Sequence, residues 1–260
     1  MKYGFIGIGT LAEAIIDGLI GTKLSVDSVI VSPRNAQVSA RLAARHGVVT
    51  IASHNQAVVD NSDMVFIAVR PQVVESVLTS LKFPKGQHVV SLVAATSTQK
   101  LRSWVGSDTI LTQAIPLPFV SARQGVTAVH PPTPEVCTVF AALGSCAPIE
   151  TEEELEVAGV ASALMGPFFG MLEQLSEWLE LKGMEPVVAH SYLAHMYTNL
   201  AGVAARSPQS AFSDLRREYS TDGGINELFF DTFQRLGGGS ALIGACLLYT
   251  SPSPRDQRGS

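Results

Sequence analysis

Two glycines close to the N-terminus, Gly7 and Gly9, stand in the stretch YGFIGIGTLAEAII, with the small residue Ala12 three positions further on. A backbone that cradles a pyrophosphate needs that spacing. The first glycine permits a sharp reversal, the second lets a phosphate approach bare main chain, and the third small residue lets a helix pack on the strand before it. Free N–H groups at the helix N-terminus then face the anion. A tight turn that binds nothing carries the same signature, so the motif alone leaves both readings open.

A second group of residues lies far along the chain, in STDGGIN, residues 220–226. Ser220 and Thr221 bring hydroxyls, and the N–H groups after Gly223 and Gly224 suit a carboxylate. Asn226, one turn into the helix that follows, offers a side-chain oxygen to a substrate nitrogen. A helix-starting turn capped by Asp222 is the competing reading. Between the two groups, PVVAHSYLAHMYTNLAG carries His190, Tyr192, His195, Tyr197 and Asn199. His195 and Tyr197 are candidate proton donors, and polar residues at a subunit contact explain the pattern equally well.

The elements that must position these residues follow from hydrophobic patterning. Residues 3–6 read as a strand buried on both faces, and Leu11, Ala14, Ile15 and Leu19 recur at helical spacing. Residues 28–32, 64–69 and 88–95 read as further strands with helices between them, and 109–115 and 126–130 as shorter ones. PLPFVSARQG, between the last two, is too rich in proline to be regular. The alternation predicts an α/β fold, a doubly wound parallel sheet of Rossmann type over residues 1–149. From residue 150 the strands stop, and a small all-helical domain over 150–246 is expected. Its helices run from about Glu152, broken at Gly166-Pro167, to Leu181; from Pro186 to about Ala205; and onward from Gly224. So short and apolar a helical domain calls for a partner subunit to complete its core, hence a homodimer. Residues 247–260, ending in SPSPRDQRGS, resemble translated vector sequence and are set aside as a non-native tail.

At the end of the second expected strand, a dinucleotide fold that prefers NAD(H) places an acidic residue against the ribose hydroxyl. Here the stretch reads VIVSPRN, with Ser32 and Arg34 and no carboxylate. A guanidinium and a hydroxyl suit a 2′-phosphate, so NADP(H) is the expected cofactor. A surface turn with an arginine is the alternative.

The chain's 260 residues are 46% hydrophobic and only 16% charged, which fits a compact protein and excludes a disordered one. A formal net charge of -5, with 18 basic residues that form no tract, argues against a nucleic-acid surface. No stretch approaches the ~18 uninterrupted apolar residues of a membrane span. Glu13 and Asp17 interrupt what a signal peptide would keep apolar, so a cytoplasmic location is expected. Cys137, Cys146 and Cys246 form no C-x-x-C and have no histidine cluster beside them. They are expected to be buried reduced thiols, with no metal site.

In GFIGIGTLAEAIIDGL, FIAVRPQ, SLVAA and RQGVTAV the chain resembles the pyrroline-5-carboxylate reductases, and the likeness extends at low similarity to about Ala245. The resemblance implies that Gly7, Ile8, Gly9, Thr10, Leu11, Ser32, Arg34, Asn55, Ala68, Val69, Arg70, Pro71, Ala94 and Ala95 line an NADPH site. It also implies hydride transfer to the carbon of a cyclic C=N bond. The substrate half departs from the family pattern. Leu117, in IPLPF, stands for a polar asparagine; Ala163 and Met165, in ALMGP, stand for serines; Asp222 replaces a proline, and Asn226 a threonine. An altered imine substrate is therefore expected, with an NADPH-binding sensor without turnover as the alternative. A hydroxyacid dehydrogenase of similar architecture needs a helical lysine beside the substrate, and after Lys100 the chain has only Lys182, next to Gly183.

Overall fold

The computed structural model describes residues 1–250, with side chains through Leu247. Its strands are β1 (Lys2–Ile6), β2 (Ser28–Val31), β3 (Val49–Ile51), β4 (Met64–Ile67), β5 (His88–Ser91), β6 (Ile110–Pro116), β7 (Gly125–His130) and β8 (Gly144–Pro148). They form one sheet in the order β3-β2-β1-β4-β5-β6-β7-β8. β1 to β6 pair in parallel, β7 turns back against β6, and β8 runs parallel to β7.

Alternate residues of each strand feed opposite faces of the sheet. Phe5, Val31, Phe66 and Val90 enter one apolar core. Ile6, Ile30, Ile67 and Val89 enter the other. A strand buried on both sides must be apolar throughout, which is why β1 and β4 show no polar alternation. Phe5 stacks on Phe66 at 4.7 Å between ring centroids, tying β1 to β4 where the strand order reverses.

The crossovers are α1 (Thr10–Ile20), α2 (Ala36–Arg45), α3 (Asn55–Asp60), α4 (Pro71–Leu78) and α5 (Thr98–Val105), with α6 (Pro134–Ala142) between β7 and β8. The segment expected to be irregular after β6 contains a 3-10 turn, Pro118–Ala122, which proline tolerates at its start. α7 (Glu152–Ser162) follows β8, and its first half belongs to the sheet. Leu155 is buried, and the Glu152 carboxylate accepts the Thr98 N–H at 2.7 Å, capping α5. The chain accordingly divides into Met1–Gly159 and a part from Val160 onward, later than the boundary expected at residue 149.

The second unit holds α8 (Met165–Leu181), α9 (Pro186–Arg206), α10 (Phe212–Glu218), α11 (Ile225–Arg235) and α12 (Gly238–Thr250). The break before α8 falls at Ala163-Leu164 and not at Gly166-Pro167. Pro167 sits in the first turn of α8, where its missing N–H costs no helical bond. α12 carries the helical backbone through Thr250, so residues 247–250 of the supposed tail are helical; residues 251–260 lie outside the described residues. Glu152–Leu181 is long and apolar enough to cross a bilayer, a length reached by mean hydropathy with Gly, Ser and Glu interspersed and not by an uninterrupted run.

Candidate active site

Strand β1 ends at Ile6, and the chain reverses at Gly7, whose φ is +91°. A β-carbon there would lie 2.6 Å from the Ala68 carbonyl oxygen and 2.8 Å from Val69 Cγ1. Gly7 is thus required by the close approach of β1 to the end of β4. Gly9 is a different case. Its φ is -114°, which any residue adopts, and a β-carbon would meet nothing within 4 Å. The fold gives no reason for glycine at this position, and the space in front of it is open. Gly9 caps α1 without a side-chain hydrogen bond, so the N–H groups of the first helical turn face that space without a side-chain cap. These features fit a pyrophosphate.

The end of β2 braces the turn. Ser32 Oγ accepts the Gly7 N–H at 3.0 Å, Asn35 Nδ2 donates to the Ile8 carbonyl at 3.0 Å, and Ser39 Oγ donates to the Ser32 carbonyl at 2.9 Å. Ser32 is buried, which differs from its expected role facing a phosphate. Arg34 is exposed and joins no ion pair among the described residues. Of that pair, Arg34 is the side chain turned to solvent. The bracing role of Asn35 and Ser39 has no signature in a single sequence, because short polar residues at a strand end are common.

The remaining cofactor candidates gather on the same edge of the sheet. Gly7, Ile8, Gly9, Thr10 and Leu11 follow β1; Ser32 and Arg34 follow β2; Ala68, Val69, Arg70 and Pro71 follow β4; Ala94 and Ala95 follow β5. Asn55 opens α3 beyond β3, beside His54, whose Nδ1 accepts the Ala57 N–H. Pro71 stands at the first position of α4, and Ala95 takes the left-handed region at φ +54°. All lie beyond the carboxyl ends of parallel strands, around the reversal of strand order between β1 and β4. Leu117 lies on the same edge, half-buried after β6.

In the helical unit, the residues of the second candidate group are bonded to their own backbone. Ser220 Oγ donates to the Arg216 carbonyl at 2.8 Å, and Asn226 Nδ2 donates to the Tyr219 carbonyl at 2.6 Å. The Gly223 N–H donates to Glu227 Oε2 at 2.7 Å. Glu227, which the sequence reading passed over, thus supplies its own carboxylate where a substrate carboxylate was expected. Its place three residues after the helix-starting Gly224 is the available signal: a carboxylate in the first helical turn reaches back to free N–H groups, here that of Gly223, one residue before the cap. Gly223 takes φ +68°, Gly224 caps α11, and Thr221, Asp222 and Asn226 are exposed.

On α9 the two proton-donor candidates are engaged as well. His195 Nδ1 lies 2.7 Å from the Ser191 carbonyl, an acceptor only, so Nδ1 carries the proton. Asn199 Nδ2 donates to the His195 carbonyl and not to its ring. The Tyr197 hydroxyl points to Met171 Sδ at 3.8 Å, and burial raises its pKa above the usual tyrosine value. Lys182 caps the C-terminus of α8, exposed.

Residues 2–95 match the family described as NADP oxidoreductase, coenzyme F420-dependent. Over 247 residues the chain is 23% identical to pyrroline-5-carboxylate reductase of Pseudomonas aeruginosa, covering 91% of this chain and 89% of that protein. The Aquifex aeolicus enzyme of the same name is 31% identical over 174 residues, 65% of this chain and 64% of its own length. Among solved structures, a pyrroline-5-carboxylate reductase from Coxiella burnetii superposes with a TM-score of 0.85 at 22% identity, covering 95% of each chain. With the sheet order and the glycine turn, these likenesses make the chain similar to the pyrroline-5-carboxylate reductases over most of its length, with the dinucleotide-binding fold they share.

Proposed function

We propose that this protein is a cytoplasmic, NADPH-dependent reductase of a cyclic C=N bond, with a substrate other than pyrroline-5-carboxylate. The observation that carries the reading is Gly9, a glycine that the fold does not require, set at the open N-terminus of α1 on the switch-point edge of the sheet. NADPH, when bound, supplies a hydride.

The chain's residues have the following tasks. Backbone N–H groups from Gly9 to Leu11 hold the pyrophosphate, and Arg34 pairs with the 2′-phosphate. Ala68 to Pro71 and Ala94-Ala95 shape the edge along which the cofactor lies. A protonated imine is already a strong electrophile, so little acid-base work is required. What remains for the chain is to orient the imine carbon toward the hydride donor and to exclude water. Because Tyr219's carbonyl can only accept, the Asn226 bond to it fixes the amide with Oδ1 as the remaining acceptor for a substrate N–H.

The engagement of Gly223 N–H by Glu227 supports an altered substrate. A substrate carboxylate would have to displace that side chain and sit beside a like charge. Leu117 and Met165 add apolar surface where the family pattern is polar. The same engaged donors also favour the second reading, a sensor that binds NADPH without turnover. Initial-rate NADPH oxidation with pyrroline-5-carboxylate and with carboxylate-free cyclic imines decides between them. Turnover fastest on the carboxylate-free imines supports the proposal. Pyrroline-5-carboxylate as best substrate refutes the altered specificity, and tight NADPH binding without turnover on any imine supports the sensor.

A homodimer through the helical unit is part of the proposal. Leu181, Val187, Phe212, Ile225 and Leu236 are each more than three-quarters exposed, and Ala189 and Leu193 alone are buried on α9. Helices so exposed need an apolar partner, and a second copy provides one. A monomeric mass by light scattering at micromolar concentration would refute it.

A further inference from the structure

Cys137 and Cys146 were expected to be buried, reduced thiols; the structure puts them side by side and only partly buried. Cys137 is on α6 and Cys146 on β8. The connection between them turns at Gly144, where φ is +137° and a β-carbon would lie 2.1 Å from the Gly125 carbonyl. That turn admits no other residue without rearrangement, so it fixes how α6 folds back on β8. The two sulfurs lie 2.9 Å apart, with the Cys146 thiol donating to Cys137 Sγ. Both side chains pack at the margin of the sheet core and remain within reach of small solutes. β8 is the edge strand, paired only with β7, so a bond at this point would fasten a sheet edge to the helix covering it.

We propose that Cys137 and Cys146 form a dithiol modification site, which a peroxide closes to an intramolecular disulfide. The Cys146 S–H points at Cys137 Sγ and would hold a thiolate there by hydrogen bonding, so Cys137 is the attacking sulfur, and burial, with Cys137 beside it, pushes the Cys146 thiol up in the same sense. The Cys137 thiolate attacks one oxygen of hydrogen peroxide, the O–O bond breaks, and a sulfenic acid forms with release of hydroxide, which takes up the proton that Cys137 lost. Cys146 sulfur then attacks the sulfenic sulfur. The S–S bond forms, the S–O bond breaks, and the leaving oxygen takes the Cys146 proton and departs as water. In sum, two thiols lose two electrons and two protons, and one peroxide becomes two waters. Nothing in this step involves the cofactor turn, so it stands apart from the reductase reading.

The test treats the reduced full-length protein with a stoichiometric amount of hydrogen peroxide under native conditions. Remaining thiols are blocked with N-ethylmaleimide, and peptides are mapped by mass spectrometry without reduction. The expected result is a Cys137–Cys146 cross-linked species lighter by about 2 Da, two hydrogens, and restored by dithiothreitol, while Cys246 is alkylated. Phenylarsine oxide, which bridges paired thiols, should protect the same two residues from alkylation before any oxidation. Cys137→Ser and Cys146→Ser should each abolish both effects. Full alkylation of Cys137 and Cys146 after peroxide, over-oxidation of Cys137 without a cross-link, or a bond involving Cys246 would overturn the proposal. The readout on the unmodified chain decides the matter even if a serine variant fails to fold.

Discussion

Replacing each glycine of the turn with alanine separates a structural glycine from a ligand-binding one. At Gly7, alanine adopts φ +91° at a cost of about 1–2 kcal/mol, and its methyl group meets the Ala68 carbonyl at 2.6 Å, overpacking worth about 1–3 kcal/mol more. Gly7→Ala should therefore lower stability by roughly 2–5 kcal/mol, a fall in Tm of about 5–15 °C for a protein of this size. At Gly9, alanine meets no atom within 4 Å and keeps an ordinary φ, so Gly9→Ala should leave the Tm within the ~0.5 kcal/mol scatter of surface changes. Its methyl group would stand where the pyrophosphate approaches. Crowding and a weakened charge-assisted hydrogen bond together cost about 2–4 kcal/mol, or roughly 30- to 1000-fold in NADPH affinity. The assay pairs thermal unfolding without cofactor against NADPH titration by calorimetry. If Gly9→Ala binds NADPH within about twofold of the parent, the open space is not a phosphate site and the reasoning from the cradle fails.

Arg34→Ala should weaken NADPH by about 1–3 kcal/mol and leave NADH nearly unchanged; equal losses for both would remove the 2′-phosphate from its role. Glu13 is bonded by Arg41 at 2.7 Å and Arg45 at 3.0 Å, and the guanidiniums, Arg41 first, hold its carboxyl below the ordinary 4.5. The stabilisation is complete above that value and drains as pH falls through the lowered one, so the Tm deficit of Glu13→Gln at neutral pH should close in acid; a constant deficit would contradict the linkage. Glu227→Ala should raise kcat/KM for pyrroline-5-carboxylate relative to a carboxylate-free imine by at least about tenfold, the effect of removing one competing charge-assisted bond. An unchanged ratio would show that Gly223 takes no part in substrate choice.

The parts of the fold that could be read from the sequence were those with one dominant cause. β1, β2, β4 and β5 are apolar because both faces are covered, so they appear as unbroken runs. β3 escaped because it has three residues, of which Thr50 and Ile51 are exposed, and β8 because GSCAP lacks the branched and aromatic residues of a buried strand. α10 escaped for a related reason: none of its seven residues is buried, so no apolar stripe marks it. The chain boundary was read too early because the acidic start of α7 looks like the opening of a new domain. Glu152 in fact reaches back to cap α5, a contact between residues 54 positions apart.

The two candidate groups, one in each unit, differed in legibility because they rest on different chemistry. A phosphate cradle is made of backbone, and backbone that must reverse and stay bare demands glycine at fixed intervals, which a sequence displays directly. A substrate site is made of side chains, and their types do not say whether they are already committed. Ser220 and Glu227 each bond a backbone group four residues away, and Asn226 one seven residues away, so these residues satisfy their own loop first. Redirecting any one of them toward a ligand leaves its present partner unsatisfied, at about 1–3 kcal/mol where that partner is shut off from water. In the proposed reading, a carboxylate substrate meets that cost at Gly223 and then faces Glu227 as a like charge. In the proposed reading, an uncharged ring or a protonated imine leaves the Gly223–Glu227 bond intact and requires only the Oδ1 lone pair of Asn226, which is why the proposal sets the carboxylate-bearing substrate behind a carboxylate-free one.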